Sequence, residues 1–312
     1  MKRILGAVST FIILCAILAY LSPRTAEGGN IFLSIQNLTN VLVQVCVTAI
    51  LAAGMSYVIF SGGIDLSVGS MLALSASVSA GLMKANLPLP LCLLTGLLVG
   101  TSLGAINGVL TAYLRLPPFI TTLGMMGIAR GLTYVYLGGS PIFGFSDGFR
   151  FFAEGRALGI PVPIWTMIVV FFIAHVLATK TAFGRSVFAI GGNEEATRLA
   201  GIPVQARKVA IYAICGFTSA IAGLILSARL DSAEPQAGDG YELDAIAAAV
   251  MGGASLSGGE GTIVGSLVGA LIMGVVRNGL NLLNVSAYWQ KVAIGGIILL
   301  AVLVDSLRKK KR

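Results

Sequence analysis

Ten apolar windows of helix length follow one another along the chain with little between them, and they limit the possible folds more than any other feature of the 312 residues. They fall at residues 4–21, 41–60, 66–83, 91–112, 119–137, 164–178, 209–227, 243–256, 263–283 and 292–307. A bilayer core about 30 Å thick takes a helix of about 20 apolar residues, since a helix satisfies its own backbone hydrogen bonds where no water is available. Apolar residues make up 56% of the chain and charged residues 11%, against roughly 25% charged in soluble domains. No polar stretch approaches the length of a soluble domain. The fold implied is all-α: a polytopic membrane protein of about ten transmembrane helices, forming a single domain over residues 1–312. The eighth window is short for a full crossing, so a broken or re-entrant helix fits it as well.

Charge sets the orientation. With both termini in the cytoplasm, the inner side collects Lys2, Arg3, Arg115, the five basic residues of segment 180–208, and the tail Arg308, Lys309, Lys310, Lys311 and Arg312. The outer side keeps Arg24, Lys84, Arg150, Arg156, Arg229 and Lys291. It also takes most of the acids, among them Glu27, Asp147, Glu154 and Glu242. The net charge of +8 then reads as an anchor to anionic membrane lipid rather than a nucleic-acid surface. The first window exceeds the h-region of a signal peptide and shows no small-x-small cleavage site before Pro23, so it is expected to stay as a span. Cys15, Cys46, Cys92 and Cys215 all lie in windows and read as small packed residues.

Residues 180–208 form the one long polar island between apolar segments. Asn193 is placed to cap a helix, Glu194 and Glu195 suit its positive first turn, and Arg198 follows Glu194 at i,i+4. Gly201 fits the left-handed position past the last turn, and Pro203 blocks continuation. Either an ordinary connector or a rigid handle for a cytosolic protein fits this outline.

Signals for chemistry are sparse. There is no G-x-x-x-x-G-K-[ST] loop for ATP and no G-x-S-x-G nucleophile, and His175 stands alone in an apolar window, so the chain is not expected to be an enzyme or to bind metal. Glycine does recur at helix-packing spacing, at Gly100, Gly104 and Gly108 and again at Gly265 and Gly269. A second pattern, G-G-x-x-L-S-x-G, appears at residues 62–69 and 252–259, and Asn-Gly pairs recur at 107–108 and 278–279. Gly-interrupted segments repeated in two halves of a transporter point to a pathway between them. Asp65 and Asp244 at window borders, with Arg130 and Arg277 inside windows, are open to two readings, interfacial snorkelling or a pathway role.

Residues 61–70 (SGGIDLSVGS), 183–202 (FGRSVFAIGGNEEATRLAGI), 232–259 (SAEPQAGDGYELDAIAAAVMGGASLSGG) and 265–290 strongly resemble the permease subunit of bacterial ribose-type ABC importers, and the likeness runs through essentially the whole chain. The resemblance implies two copies of this chain working with a cytosolic ABC ATPase, which uses the ATP and Mg, and with a periplasmic sugar-binding protein. By the same resemblance residues 193–201 are the coupling helix that enters the ATPase, with Gly192, Asn193, Glu194, Glu195, Arg198 and Gly201 as coupling residues. Asp231, Glu234 and Asp239 would help dock the binding protein, and Asp65, Ser67, Asn107, Asp244 and Asn278 would lie near the path. Glu260 and the very basic tail depart from the pattern and weaken an assignment to ribose itself. The rival class is a stand-alone secondary transporter or channel for a small polar solute, driven by an ion gradient, but it lacks the relay of buried acids such a protein needs.

Overall fold

In the computed structural model, which describes residues 2–24 and 28–310, every apolar window holds a helix. Glu27, Lys311 and Arg312 lie outside the described residues. The helices are α1 (Lys2–Leu21), α2 (Ile35–Phe60), α3 (Val68–Lys84), α4 (Leu89–Ala112), α5 (Pro118–Leu137), α6 (Asp147–Glu154), α7 (Val162–Lys180), α8 (Ala182–Gly192), α9 (Glu194–Leu199), α10 (Val204–Leu230), α11 (Tyr241–Met251), α12 (Ile263–Leu282) and α13 (Ala287–Lys310). Among the described residues four two-residue strands form two antiparallel pairs, β1 (Ile142–Phe143) with β4 (Ser232–Ala233) and β2 (Arg156–Ala157) with β3 (Ile160–Pro161). Among the described residues α2, α4, α7, α10 and α12 are long and apolar enough to cross a membrane. α2, α4 and α7 end, and α10 and α12 begin, at the same face, with α3, α5 and α11 running back between them. This gathers α8 and α9 at one face of the bundle and α6 with the strand pairs at the other.

Local chemistry sets the ends. Proline occupies the first turn of α4, α5 and α7, where an amide has no helical partner to lose. Ser34 and Thr262 cap α2 and α12 by accepting from the amides of Asn37 and Gly265. α5 stops at Gly138 in the left-handed region, at φ 60°.

α2 and α10 form the centre. Nearly all of α2 from Val45 onward is buried, and its side chains join those of α7, α10, α11 and α12 in one apolar cluster. α10 lies on α4 through the glycines at i,i+4 spacing. A methyl group on Gly104 would collide with the Tyr212 carbonyl, one on Gly216 with the Gly100 carbonyl, and one on Gly108 would come within 2.5 Å of the Val209 Cα. Backbones this close gain dispersion contacts along the whole seam, the main source of helix association where lipid removes the hydrophobic drive.

The eighth window takes the re-entrant alternative. α11 has 11 residues, roughly 16 Å at 1.5 Å per residue, about half a bilayer core. It descends against α12, with Gly265 and Gly269 abutting the backbone of Gly252 and Ala248. The segment before it also runs into the bundle, since Gly238 packs on Gly69 and Leu72 of α3. Non-helical backbone at membrane depth is stable only where protein or a water-filled cavity surrounds it.

Gly104→Val should therefore prise α4 from α10. Overpacking of this kind costs about 1–3 kcal/mol, so the detergent-purified protein should melt several degrees lower or lose its monodisperse chromatographic peak. Gly124→Ala, with nothing within 4 Å of the added methyl, should leave both unchanged.

Candidate functional site

At the face that carries α8 and α9, the polar island is two helices rather than one. Residues 182–192 form α8, capped by Thr181 and seated through buried Val187 and Ile190, with Phe188 stacked on Phe60 at 4.9 Å. Asn193 then breaks the chain and caps α9, its Oδ1 accepting from the Ala196 amide at 2.9 Å. Gly201 is left-handed at φ 81°, as the sequence implied, and Pro203 precedes α10. The expected Glu194–Arg198 pair does not form. Arg198 bonds Glu195 at 2.6 Å instead, because Lys208 of α10 reaches back to Glu194 at 2.6 Å and takes that carboxylate. Leu199, 80% exposed at the end of this charged helix, was missed in the sequence; an apolar residue in the last turn of a polar helix was the available signal.

At the end of α8 three glycine pairs meet, 62–63, 191–192 and 258–259. Gly259 N–H donates to the Phe60 carbonyl at 2.9 Å. A methyl on Gly258 would come within 2.8 Å of both the Gly191 Cα and the Gly62 amide nitrogen, and one on Gly191 within 2.5 Å of the Gly259 nitrogen. The two halves of the G-G-x-x-L-S-x-G repeat thus touch each other and the end of α8, backbone to backbone. Gly192, next in line, has open space around it. The Asn-Gly pairs do not share this arrangement: Asn107 lies toward the α9 end of α4, Asn278 toward the opposite end of α12.

Asp65, Ser67 and Asn107 come together, all fully buried. The Ser67 amide and hydroxyl donate to Asp65 Oδ1 at 2.9 and 2.5 Å, and Asn107 Nδ2 donates to Ser67 Oγ at 2.9 Å. They fasten the turn between α2 and α3 to α4. Asp244 is elsewhere, in the first turn of α11, bonded to Arg277 of α12 at 2.7 Å. Asn278 and Asn37 exchange a pair of side-chain hydrogen bonds at 2.9 and 3.1 Å, closing α12 onto the start of α2. The five polar residues singled out along the chain are therefore three separate groups.

At the opposite face Asp231 accepts from the Phe145 amide at 2.9 Å and so holds the α6 region to the end of α10. Glu234 accepts from the Ser232 hydroxyl at 3.0 Å, and Asp239 is exposed. Arg130 does not snorkel. Twelve residues into α5, roughly 18 Å from its start, it donates to the carbonyls of Pro235 and Ala237 at 2.5 and 2.8 Å and clamps the descending segment.

A helical bundle with a half-helix entering from one face, a capped helix standing out on the other and a glycine junction at the end of α8 is the architecture of a multi-pass membrane protein. The family described as "Branched-chain amino acid transport system / permease component" matches residues 37–302, and the chain belongs to it. It is 48% identical to the ribose import permease protein RbsC of Escherichia coli (strain K12), with 96% of this chain and 92% of that protein aligned. It is 49% identical to the ribose import permease protein RbsC of Bacillus subtilis (strain 168), with 98% and 93% aligned. The D-allose transport system permease protein AlsC of Escherichia coli (strain K12) is 42% identical over 96% of this chain and 92% of its own length.

Arg130→Ala should release the descending segment. Each hydrogen bond from a charged donor contributes about 1.5–3 kcal/mol, so amides of residues 236–239 should exchange at least about tenfold faster in hydrogen-exchange mass spectrometry. Those of α2 should not change.

Proposed function

We propose that this chain is the membrane subunit of an ATP-driven importer for ribose or a closely related monosaccharide, working as two copies with a cytosolic ABC ATPase and a periplasmic sugar-binding protein. It sits in the bacterial inner membrane with both termini and α9 in the cytoplasm. ATP and Mg belong to the partner ATPase. The observation that carries the reading is α9: a short helix capped at both ends, presenting Glu195, Arg198 and Leu199 outward and following directly on α8, whose last turn is packed into the glycine junction. A handle of this kind transmits a push only if its seat is stiff. Backbone-on-backbone contact is stiff because no side chain is there to change rotamer. Closing of the ATPases would shift α9, and through Gly191 the ends of α2 and the α11–α12 loop, so that the re-entrant half-helix opens the path on alternate sides. Asp231, Glu234 and Asp239 belong to the face that would receive the binding protein. The monosaccharide assignment is supported by the ribose and allose permeases among the relatives.

Reconstitution in liposomes with the ATPase and the binding protein should give sugar uptake that requires ATP and vanishes when either partner is left out. Uptake by the purified chain alone, driven by a proton or sodium gradient, would place it with the secondary transporters. Replacing Glu194, Glu195 and Arg198 together with Ala should cut uptake about tenfold or more, the scale on which loss of central interface contacts acts, while membrane insertion stays normal. Unchanged uptake in the triple variant would remove α9 from the coupling route.

A further inference from the structure

Between α2, α10, α11 and α12 lies a cavity of about 410 Å³, walled on one side by residues 236–239 of the descending segment. Its volume is within the range of small-molecule sites, roughly 300–1,000 Å³. Gln44 and Thr48, one turn apart on α2, line it, and Gln44 is exposed about nine residues into a transmembrane helix. An amide facing lipid at that depth would lack hydrogen-bond partners, so its surroundings are water or a ligand that replaces water. The irregular segment at its wall is backbone of the kind that is stable where it is packed in protein or lines a water-filled cavity, and residues 236–239 line this one.

We infer that this cavity is a binding subsite for a neutral monosaccharide within each permease protomer, where the sugar rests after leaving the binding protein; the inference rests on the importer reading above. Four charged residues reach the wall, Arg229 and Arg277 against Asp239 and Asp244, so the formal charges cancel and no ionic cargo is favoured. Arg277 spends one N–H on Asp244 and is still 37% exposed, which leaves its planar fork available to vicinal hydroxyls. Gln44 offers a donor and an acceptor in the same lining. Tyr241 adds an aromatic residue to the lining. The descending segment that rims the cavity runs directly from the face proposed to dock the binding protein, so a released sugar has a short route in. Binding here gives the permease a selectivity of its own.

The test uses the permease–ATPase complex in membrane vesicles. Thr48→Cys should react with a small, charged, membrane-impermeant thiol reagent added from the periplasmic side, over a background set by the parent protein. D-Ribose should slow that reaction, and ribose 5-phosphate should not. Gln44→Leu, which keeps an apolar helix intact, should raise the sugar concentration needed for protection about tenfold, the cost of one lost polar contact. In coupled uptake with the binding protein it should change KM more than kcat. Absence of labelling, as when a second copy of the chain fills the cavity, would overturn the subsite. So would equal protection by the phosphate ester, or Gln44→Leu protection and uptake indistinguishable from the parent. Normal ATP-dependent uptake by the parent complex alongside any of these results leaves the importer function standing and removes the subsite alone. Protection by ribose with no ATP-dependent uptake supports the subsite and removes the importer function.

Discussion

Close approach of glycine backbones is the constraint on which this molecule's other features depend. Along α4, glycines at every fourth position, met by Gly216 of α10, let two long helices touch through carbonyls and α-carbons. Without that approach the bundle would have no tight centre, because lipid tails solvate leucine as well as another helix does. The same device recurs where α11 descends α12, and again where the ends of α2, α8 and the α11–α12 loop meet. At these seams glycine serves as the place where nothing stands between two backbones.

From that packing follows the division of the bundle into two levels of polar chemistry. Toward the α9 face, Asp65, Ser67 and Asn107 are sealed from solvent and hold a turn. Toward the other, the pair Asp244–Arg277 borders an open cavity and joins the half-helix to its neighbour. An aspartate buried against hydroxyl and amide donors stays put. One paired to a partly exposed arginine lines a cavity, with a partner that also faces open space. The difference in surroundings gives residues of one type separate roles, a fixed staple and part of a cavity wall.

The re-entrant segment connects these levels. Arg130 holds it from α5, Gly238 rests on the first turn of α3, and α11 continues it toward the glycine junction at the end of α8. A displacement at α9 therefore meets, in one contiguous path of backbone contacts, the element that walls the cavity. Shorter helices such as α11 carry fewer internal hydrogen bonds and cost less to shift than a full span.

The sequence by itself determined the class, since ten apolar windows, scarce charge and glycine at i,i+4 spacing leave helices in a membrane as the only outcome. It also placed α9, because Asn193, Gly201 and Pro203 act through their own local backbone preferences. Those are short-range effects, legible in a string of letters. The tertiary structure alone decided which polar residues share a site. Asp65 meets Asn107 and Asp244 meets Arg277 through contacts 42 and 33 residues apart in sequence, and Arg130 reaches carbonyls more than a hundred positions away. Gln44 and Thr48 became part of a cavity wall only once α11 stopped short, and how far a helix descends is fixed by what packs against it rather than by its own composition.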